Sequence, residues 1–407
     1  MLNNIIAIII GYLIGSILPA YFLCRWIKHI DIRTIGTFNA GTTNLKRSVG
    51  ILPAIPTAIY DTIKGILAIL IAQYGLKTPL SIAYLSGLAA ILGHIFPFYL
   101  GFRGGQGAAT STGILLFNLY EIFVVGKTFP EVWDLVVILL VIAIIWFISR
   151  TQELLSITVL PLFIYFLILR TPFNWILITT LIIAGYLLYL GINNIVRFQL
   201  LKIDTEKYPD LRLWRKLLRP AAMAFPILSF FVSKMTLITL IGAVLAVFFF
   251  LDFSRIISKR VNQFFLKDIT NVFKMFKEKE SVRMSSMTLF LMSCFLCFLL
   301  FEQKIAFTAV TFLIFGDMSA VMLGLVYGKT KLFNKTLEGT LAHFMACIVF
   351  GYIIHIYLPI SLLTIFVGSL TATFIEVLPI AIDDNLSVPI IAGAIMTISS
   401  RLYGFQS

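Results

Sequence analysis

The chain has 407 residues, 59% of them hydrophobic and 13% charged, with a mean hydropathy of +0.99. That balance excludes a soluble domain and indicates a polytopic membrane protein, and apolar runs that are continuous rather than alternating make its spans helices, not barrel strands. The net charge of +13, from 32 Lys and Arg against 19 Asp and Glu, is dispersed between spans, which fits cytoplasmic loops and membrane lipid headgroups and no nucleic-acid partner.

The first apolar run, Ile5 to Cys24, is too long and too weakly flanked by charge for a cleaved leader and reads as a span. The most polar stretch of the first quarter follows, "GTFNAGTTN" from Gly36 to Asn44, with Arg47 just beyond it. Glycines allow close backbone approach, so successive N–H groups can converge on an anion. Thr and Asn add neutral donors, and an Arg fork suits phosphate oxygens. Asp61 and Lys64 stand inside the apolar run "YDTIKGILAIL", where charges are costly and so paired or functional. A second stretch of the same character, "GHIFPFYLGFRGGQGAAT", runs from Gly93 to Thr110 and carries Arg103 beside Gly104, Gly105 and Gly107. The competing reading of such glycines is plain helix packing, and His94 by itself reads as a hydrogen-bonded helix-end residue.

At about 20 residues per span, the chain holds about fourteen spans, about seven on each side of the polar stretch Asn193 to Arg219. A second polar loop is expected from Asp252 to Arg283. Positive charges crowd both that loop and the first one (Arg25, Lys28, Arg33, Lys46, Arg47), which places them in the cytoplasm together with all the glycine-rich segments. Cys294 and Cys297 have CxxC spacing but lie in "MSCFLCFLLF"; like Cys24 and Cys347 they read as buried small residues, not ligands or a disulfide.

The first half resembles the bacterial membrane glycerol-3-phosphate acyltransferases that use acyl phosphate as donor. The resemblance rests on Gly36, Asn39, Gly41, Thr43, Asn44 and Arg47; on Asp61, Lys64 and Gly65; on Gly93, His94, Phe96, Pro97, Phe102, Gly104, Gly105, Gly107, Ala109 and Thr110; and on Arg150 with Ser156. Thr37 stands where that family has Ser, and Gln106 where it has a second Lys. Gly191 and Ile192 replace a His-Arg pair, while Asn194 and Arg197 are kept. The resemblance implies acyl transfer from acyl phosphate to glycerol 3-phosphate without a cofactor. Thr37, Asn39, Arg47, Lys64, His94, Arg103, Ser156 and Asn194 are the candidate catalytic residues. Gly41, Thr43, Asn44, Gly104, Gly105 and Gly107 are the candidate phosphate cradle.

The second half carries acids at apolar edges, Asp317, Glu376, Asp383 and Asp384, and polar positions at Gly316, Gly328, Lys329, Lys335, Glu338 and Asn385. Acids in such places rarely persist without a cation, and carboxylates with lysines suit Mg²⁺ and a polyphosphate. The bland alternative is that Asp384 caps a helix and the lysines are inside-facing positives. With Arg215, Lys216, Glu280, Ser285, Thr288, Gly324, Gly339, Pro379 and Pro389, these residues resemble the CTP-dependent lipid kinases of dolichol, phytol and diacylglycerol. Thr336 stands for that family's Ser and Arg219 for its His. The resemblance implies Mg²⁺ on Asp317, Glu376, Asp383 and Asp384, and CTP on Gly316, Gly328, Lys329, Lys335, Glu338 and Asn385, with a lipid alcohol as acceptor.

The expectation is therefore an all-α polytopic membrane protein of two fused helix bundles, residues 1–210 and 211–407. Its setting is the bacterial cytoplasmic (inner) membrane, with both active sites facing the cytoplasm. The rival within the class keeps only one half active, and a transporter or binding protein for phosphorylated lipids using the same loops is the rival from another class.

Overall fold

The structure, a computed structural model, describes residues 2–201, 222–258, 284–380 and 382–403. It divides into two units, Met1–Ile138 with Thr151–Leu200, and Leu139–Arg150 with Leu201–Ser407. The described residues contain eleven helices long and apolar enough to cross a membrane. Seven of them precede residue 200, as the sequence leads one to expect. After it come four such helices and two shorter apolar ones, Ser286–Leu300 and Leu362–Val377.

The first unit is built from α1 (Leu2–Ser16), α2 (Pro19–Lys28), α3 (Thr42–Ser48), α4 (Ile51–Leu70), α5 (Leu80–Ile95), α6 (Ala108–Tyr120), the start of α7 (Val132–Ser149), α8 (Gln152–Arg170) and α9 (Trp175–Arg197). One close crossing sets α1 on α5, where a Cβ on Gly15 would run into the carbonyl of Ala90. Small residues at such crossings let helix backbones approach where lipid offers no hydrophobic drive. At one end of the bundle, Arg170 pairs with Glu131 (2.8 Å) and with the buried Asp134 (3.2 Å). The other end carries the α2–α4 and α5–α6 connections, where the glycine-rich motifs lie.

The second unit holds α10 (Ala224–Leu228), α11 (Lys234–Ile257), α12 (Ser286–Leu300), α13 (Gln303–Thr311), α14 (Asp317–Tyr327), a two-stranded antiparallel hairpin (β1, Lys331–Leu332; β2, Lys335–Thr336), α15 (Leu337–Tyr357), α16 (Leu362–Val377) and α17 (Asp384–Tyr403). Three of these helices start on the same device. Ser233, Ser285 and Ser361 each accept, through Oγ, the backbone N–H of the Thr three residues on, at 3.1–3.2 Å. A Ser in this place satisfies an N–H that the helix leaves open.

The sequence reading opens a polar loop at Asp252; the structure carries α11 on to Ile257. Asp252 and Arg255 are both buried, because Asp252 accepts from Arg255 Nη2 (2.9 Å), Ser285 N (2.6 Å) and Thr288 Oγ1 (2.7 Å). A carboxylate with one charged and two neutral donors is satisfied where it would otherwise be excluded. The four cysteines are buried and free, as expected. Arg215, Lys216, Arg219 and Glu280 lie outside the described residues.

Candidate active site

The first connection is organised by a buried amide. Asn44, at the start of α3, is fully buried. Its Nδ2 donates to the carbonyls of Ile32 (2.9 Å), Ile35 (3.0 Å) and Asn39 (2.9 Å), and its Oδ1 accepts from Thr37 N (3.0 Å) and Ser48 Oγ (3.3 Å). The loop is thus wrapped around one side chain. Gly36 is required there, since its φ is +63° and a Cβ would collide with Asn44 Oδ1. Asn44 was expected to meet phosphate; its amide is instead committed to hydrogen bonds within the loop. Thr37 Oγ1 donates to Asn39 Oδ1 (3.1 Å), both half-buried. Gly41 is the N-cap of α3.

The second connection is tied to the first. Ala40 N donates to Gly104 O (3.4 Å). Arg33 grips Asp31 through Nε and Nη2, and with Nη1 donates to the carbonyls of Leu100 (2.8 Å) and Arg103 (3.0 Å). The Arg33 fork holds the Asp31 carboxyl below the usual carboxylate range. Gly104 N and Gly105 N donate to the carbonyls of Ile95 and His94, and Tyr186 OH on α9 donates to Gln106 O (2.7 Å). Gly107, with φ +68°, is the N-cap of α6.

Beneath these loops lies a buried charge cluster. Lys64 Nζ donates to Asp61 Oδ1 (2.8 Å) and Ile17 O (3.2 Å) and lies 2.7 Å from His94 Nδ1. An ammonium has three N–H bonds, and here each has an acceptor. That arrangement makes His94 Nδ1 an acceptor and puts its proton on Nε2, which faces Gly105; a Cβ at residue 105 would strike that nitrogen. All three side chains are buried. Lys64 and His94, expected among the catalytic residues, are brought together with Asp61 in one buried hydrogen-bonded cluster.

Arg47, Arg103 and Thr43 are exposed, and neither arginine is held by an ion pair among the described residues. Two hydroxyls at the start of α6, Thr110 Oγ1 and Ser111 Oγ, are fully buried and have no hydrogen-bond partner among the described residues. Ser156 Oγ donates to Glu153 O (2.8 Å) within α8, and Gly191 of α9 is packed against that hydroxyl. Ser156 and the half-buried Asn194 share no hydrogen bond with the two loops. Sequence reasoning missed the Arg33 clamp and the Tyr186 tie. The Asp31-x-Arg33 spacing is a signal for the first, and nothing local signals the second.

In the second unit Lys335 is the hub. Its Nζ meets Glu376 Oε1 (2.5 Å), Asp384 Oδ2 (2.8 Å) and the Glu376 carbonyl. Glu338 accepts Thr330 N with both oxygens (3.2 Å each), and Thr336 Oγ1 caps α15 through Gly339 N. Asp383 accepts from Asn385 N and Nδ2. Asp317 heads α14, directly after Gly316, which is packed against the buried His343; Gly328 ends α14, and Lys329 is exposed. The four acids expected to hold Mg²⁺ are thus not gathered as a ligand set. Among the described residues no three His, Cys, Asp or Glu side chains are placed to hold a metal ion, and between Glu376 and Asp384 stands the Lys335 ammonium. This arrangement does not fit a resident divalent cation.

Residues 5–200 match the family model for glycerol-3-phosphate acyltransferase. A relative of that name from Shouchella clausii (strain KSM-K16) is 46% identical over 123 residues, covering 30% of this chain and 60% of its own. One from Legionella pneumophila is 35% identical over 160 residues, covering 39% of this chain and 54% of its own. The chain spans about three fifths or less of the length of these curated relatives. A crystal structure of an integral membrane glycerol 3-phosphate acyltransferase in its glycerol 3-phosphate form aligns with 28% identity over 48% of this chain and 92% of that one, at a TM-score of 0.37. The family match includes both glycine-rich connections, the Asp61–Lys64–His94 cluster, Ser156 and Asn194.

Proposed function

We propose that the first unit acylates glycerol 3-phosphate from an acyl phosphate, giving lysophosphatidate and inorganic phosphate for phospholipid synthesis. The observation that carries this reading is the family match over residues 5–200, which falls on two hydrogen-bonded glycine-rich connections flanked by the exposed Arg47 and Arg103. In the proposed reaction a glycerol 3-phosphate hydroxyl oxygen attacks the acyl carbonyl carbon. The new ester C–O bond forms, the C–O bond to phosphate breaks, and the hydroxyl proton passes to a phosphate oxygen. Arg47, Arg103 and the N–H groups that the first turns of α3 and α6 leave open hold the two phosphates and the developing oxyanion. Asn44, Arg33 and the Lys64–His94 pair keep the cradle in shape. Labelled lysophosphatidate formed by purified full chain from palmitoyl phosphate and labelled glycerol 3-phosphate supports the reading. Folded protein that forms none overturns it, and saturable binding without turnover favours the transporter.

For the second unit we propose phosphorylation of a lipid alcohol by CTP, whose Mg²⁺ arrives with the nucleotide as substrate. The support is the motif resemblance and the meeting of Lys335, Glu376 and Asp384, a cation poised between acids that a polyphosphate can compete for. Both sites are proposed to face the cytoplasm of the bacterial inner membrane. Labelled phosphate transfer from CTP to diacylglycerol or a polyprenol tests this, and no transfer to any lipid alcohol overturns it.

A further inference from the structure

The two glycine-rich connections of the first unit, and the end of α2 before them, carry exposed aromatic rings. Trp26 is 70% exposed, Phe38 65% and Phe102 60%. Phe98 and Phe96 are exposed beside them, and Phe22 lies against both Trp26 and Tyr99. Phe38 and Phe102 each sit in the left-handed backbone region, at φ +58° and +59°. A bulky side chain is disfavoured there, and such strain persists only where the surroundings over-determine it. Here Phe38 lies within the loop that Asn44 wraps, and Phe102 lies beside the Arg103 carbonyl that Arg33 grips. Two anchored loops thus hold two phenyl rings that are more than half exposed among the described residues.

The charges around these rings identify what covers them. Residues 25–50 and 96–107 contain Arg25, Lys28, Arg33, Lys46, Arg47 and Arg103 against a single carboxylate, Asp31. Asp31 is neutralised by Arg33, and the other five cations are exposed. Helix α2 sets Trp26 beside Arg25 and Lys28, and α4 opens on the exposed apolar pair Ile51 and Leu52, close behind Lys46 and Arg47. Aromatic rings interleaved with cations at the ends of spans match the headgroup layer of an anionic bilayer: rings enter the acyl boundary and cations meet lipid phosphates.

We propose that Trp26, Phe38 and Phe102, with Arg25 and Lys28, seat the rim of the cradle in the headgroup layer of anionic lipid. This surface is independent of the acyl-transfer reading. The native cysteines are all buried, so Phe38→Cys and, separately, Phe102→Cys can each carry one environment-sensitive dye in the full chain, reconstituted in phosphatidylglycerol or phosphatidylcholine vesicles. The expected result is that lipids with a quencher near the headgroup end of the acyl chain quench both dyes while aqueous iodide does not. Quencher-labelled phosphatidylglycerol should outdo quencher-labelled phosphatidylcholine at equal mole fraction, and Arg25→Gln with Lys28→Gln should reduce that preference by about fivefold per cation in contact. Full iodide quenching with no lipid quenching at both positions overturns the proposal. So does equal quenching by the two lipids.

Discussion

Lys64 Nζ lies 2.7 Å from His94 Nδ1, joining α4 to α5 inside the apolar bundle. With Asp61 at 2.8 Å from the same ammonium, the cluster is a closed set: one cation, one anion, and one imidazole whose outward nitrogen supports Gly105. Removing one partner leaves an uncompensated charge out of water. Asp61→Asn or Lys64→Met alone is expected to cost about 3–5 kcal/mol. The double variant is expected to recover most of that loss. Thermal unfolding of the detergent-purified chain measures both; a double variant no more stable than either single one contradicts the closed set.

Asn44 makes a different prediction. Three carbonyls face its Nδ2, so Asn44→Asp puts an acceptor against acceptors and is expected to be worse than Asn44→Ala. Leaving buried acceptors unsatisfied costs about 1–3 kcal/mol each. Acyl transfer should fall mainly in kcat, because the loop loses its shape while Arg47 and Arg103 keep their charges. A pure rise in KM would return Asn44 to the role of a phosphate ligand.

For Arg47 and Arg103, which are exposed and in no ion pair among the described residues, replacement by Ala is expected to cut acyl transfer by about 10²-fold or more each, the scale of a lost electrostatic contact. Fold stability should barely move. Near-normal rates in both variants contradict their placement on substrate phosphates.

The Arg33 clamp has a pH signature. Asp31 is held below its ordinary range by Arg33, so its contribution to stability is complete above the unfolded carboxylate value of about 3.9 and is lost as pH falls through the lower folded value. The stability difference between wild type and Asp31→Asn is expected to be flat from neutral pH down to about pH 5 and to shrink below about pH 4. A difference that changes between pH 6 and 8 would assign the clamp to another group.

Seven spans and two glycine-rich connections before residue 200 were legible because apolar length and glycine-Arg pattern are local signals. What the motifs do was less so. Asn44 reads as one more polar donor until its five partners are known, three of them between Ile32 and Thr37 across a turn. Asp252 and Arg255 looked like the start of a loop because helix-end charge resembles loop charge; their burial depends on Ser285 and Thr288, more than thirty residues away. The second unit's acids were recognisable as costly, but the cation beside two of them is Lys335, and only folding brings β2, α16 and α17 together.

The two units are expected to be chemically separable. Lys335→Ala, which removes the cation held between Glu376 and Asp384, should remove CTP-dependent phosphorylation and leave acyl transfer within a few-fold of normal, read by two assays on one purified variant. Loss of acyl transfer in a variant that folds normally contradicts separate sites.

The most direct measurement on the central claim is the stoichiometry of one reaction, with inorganic phosphate and lysophosphatidate counted together as the purified chain consumes palmitoyl phosphate and glycerol 3-phosphate. Equal amounts of the two products, both lost in Arg103→Ala, are expected if the cradle carries acyl transfer. Phosphate released without lysophosphatidate, or neither product from folded protein, would contradict it.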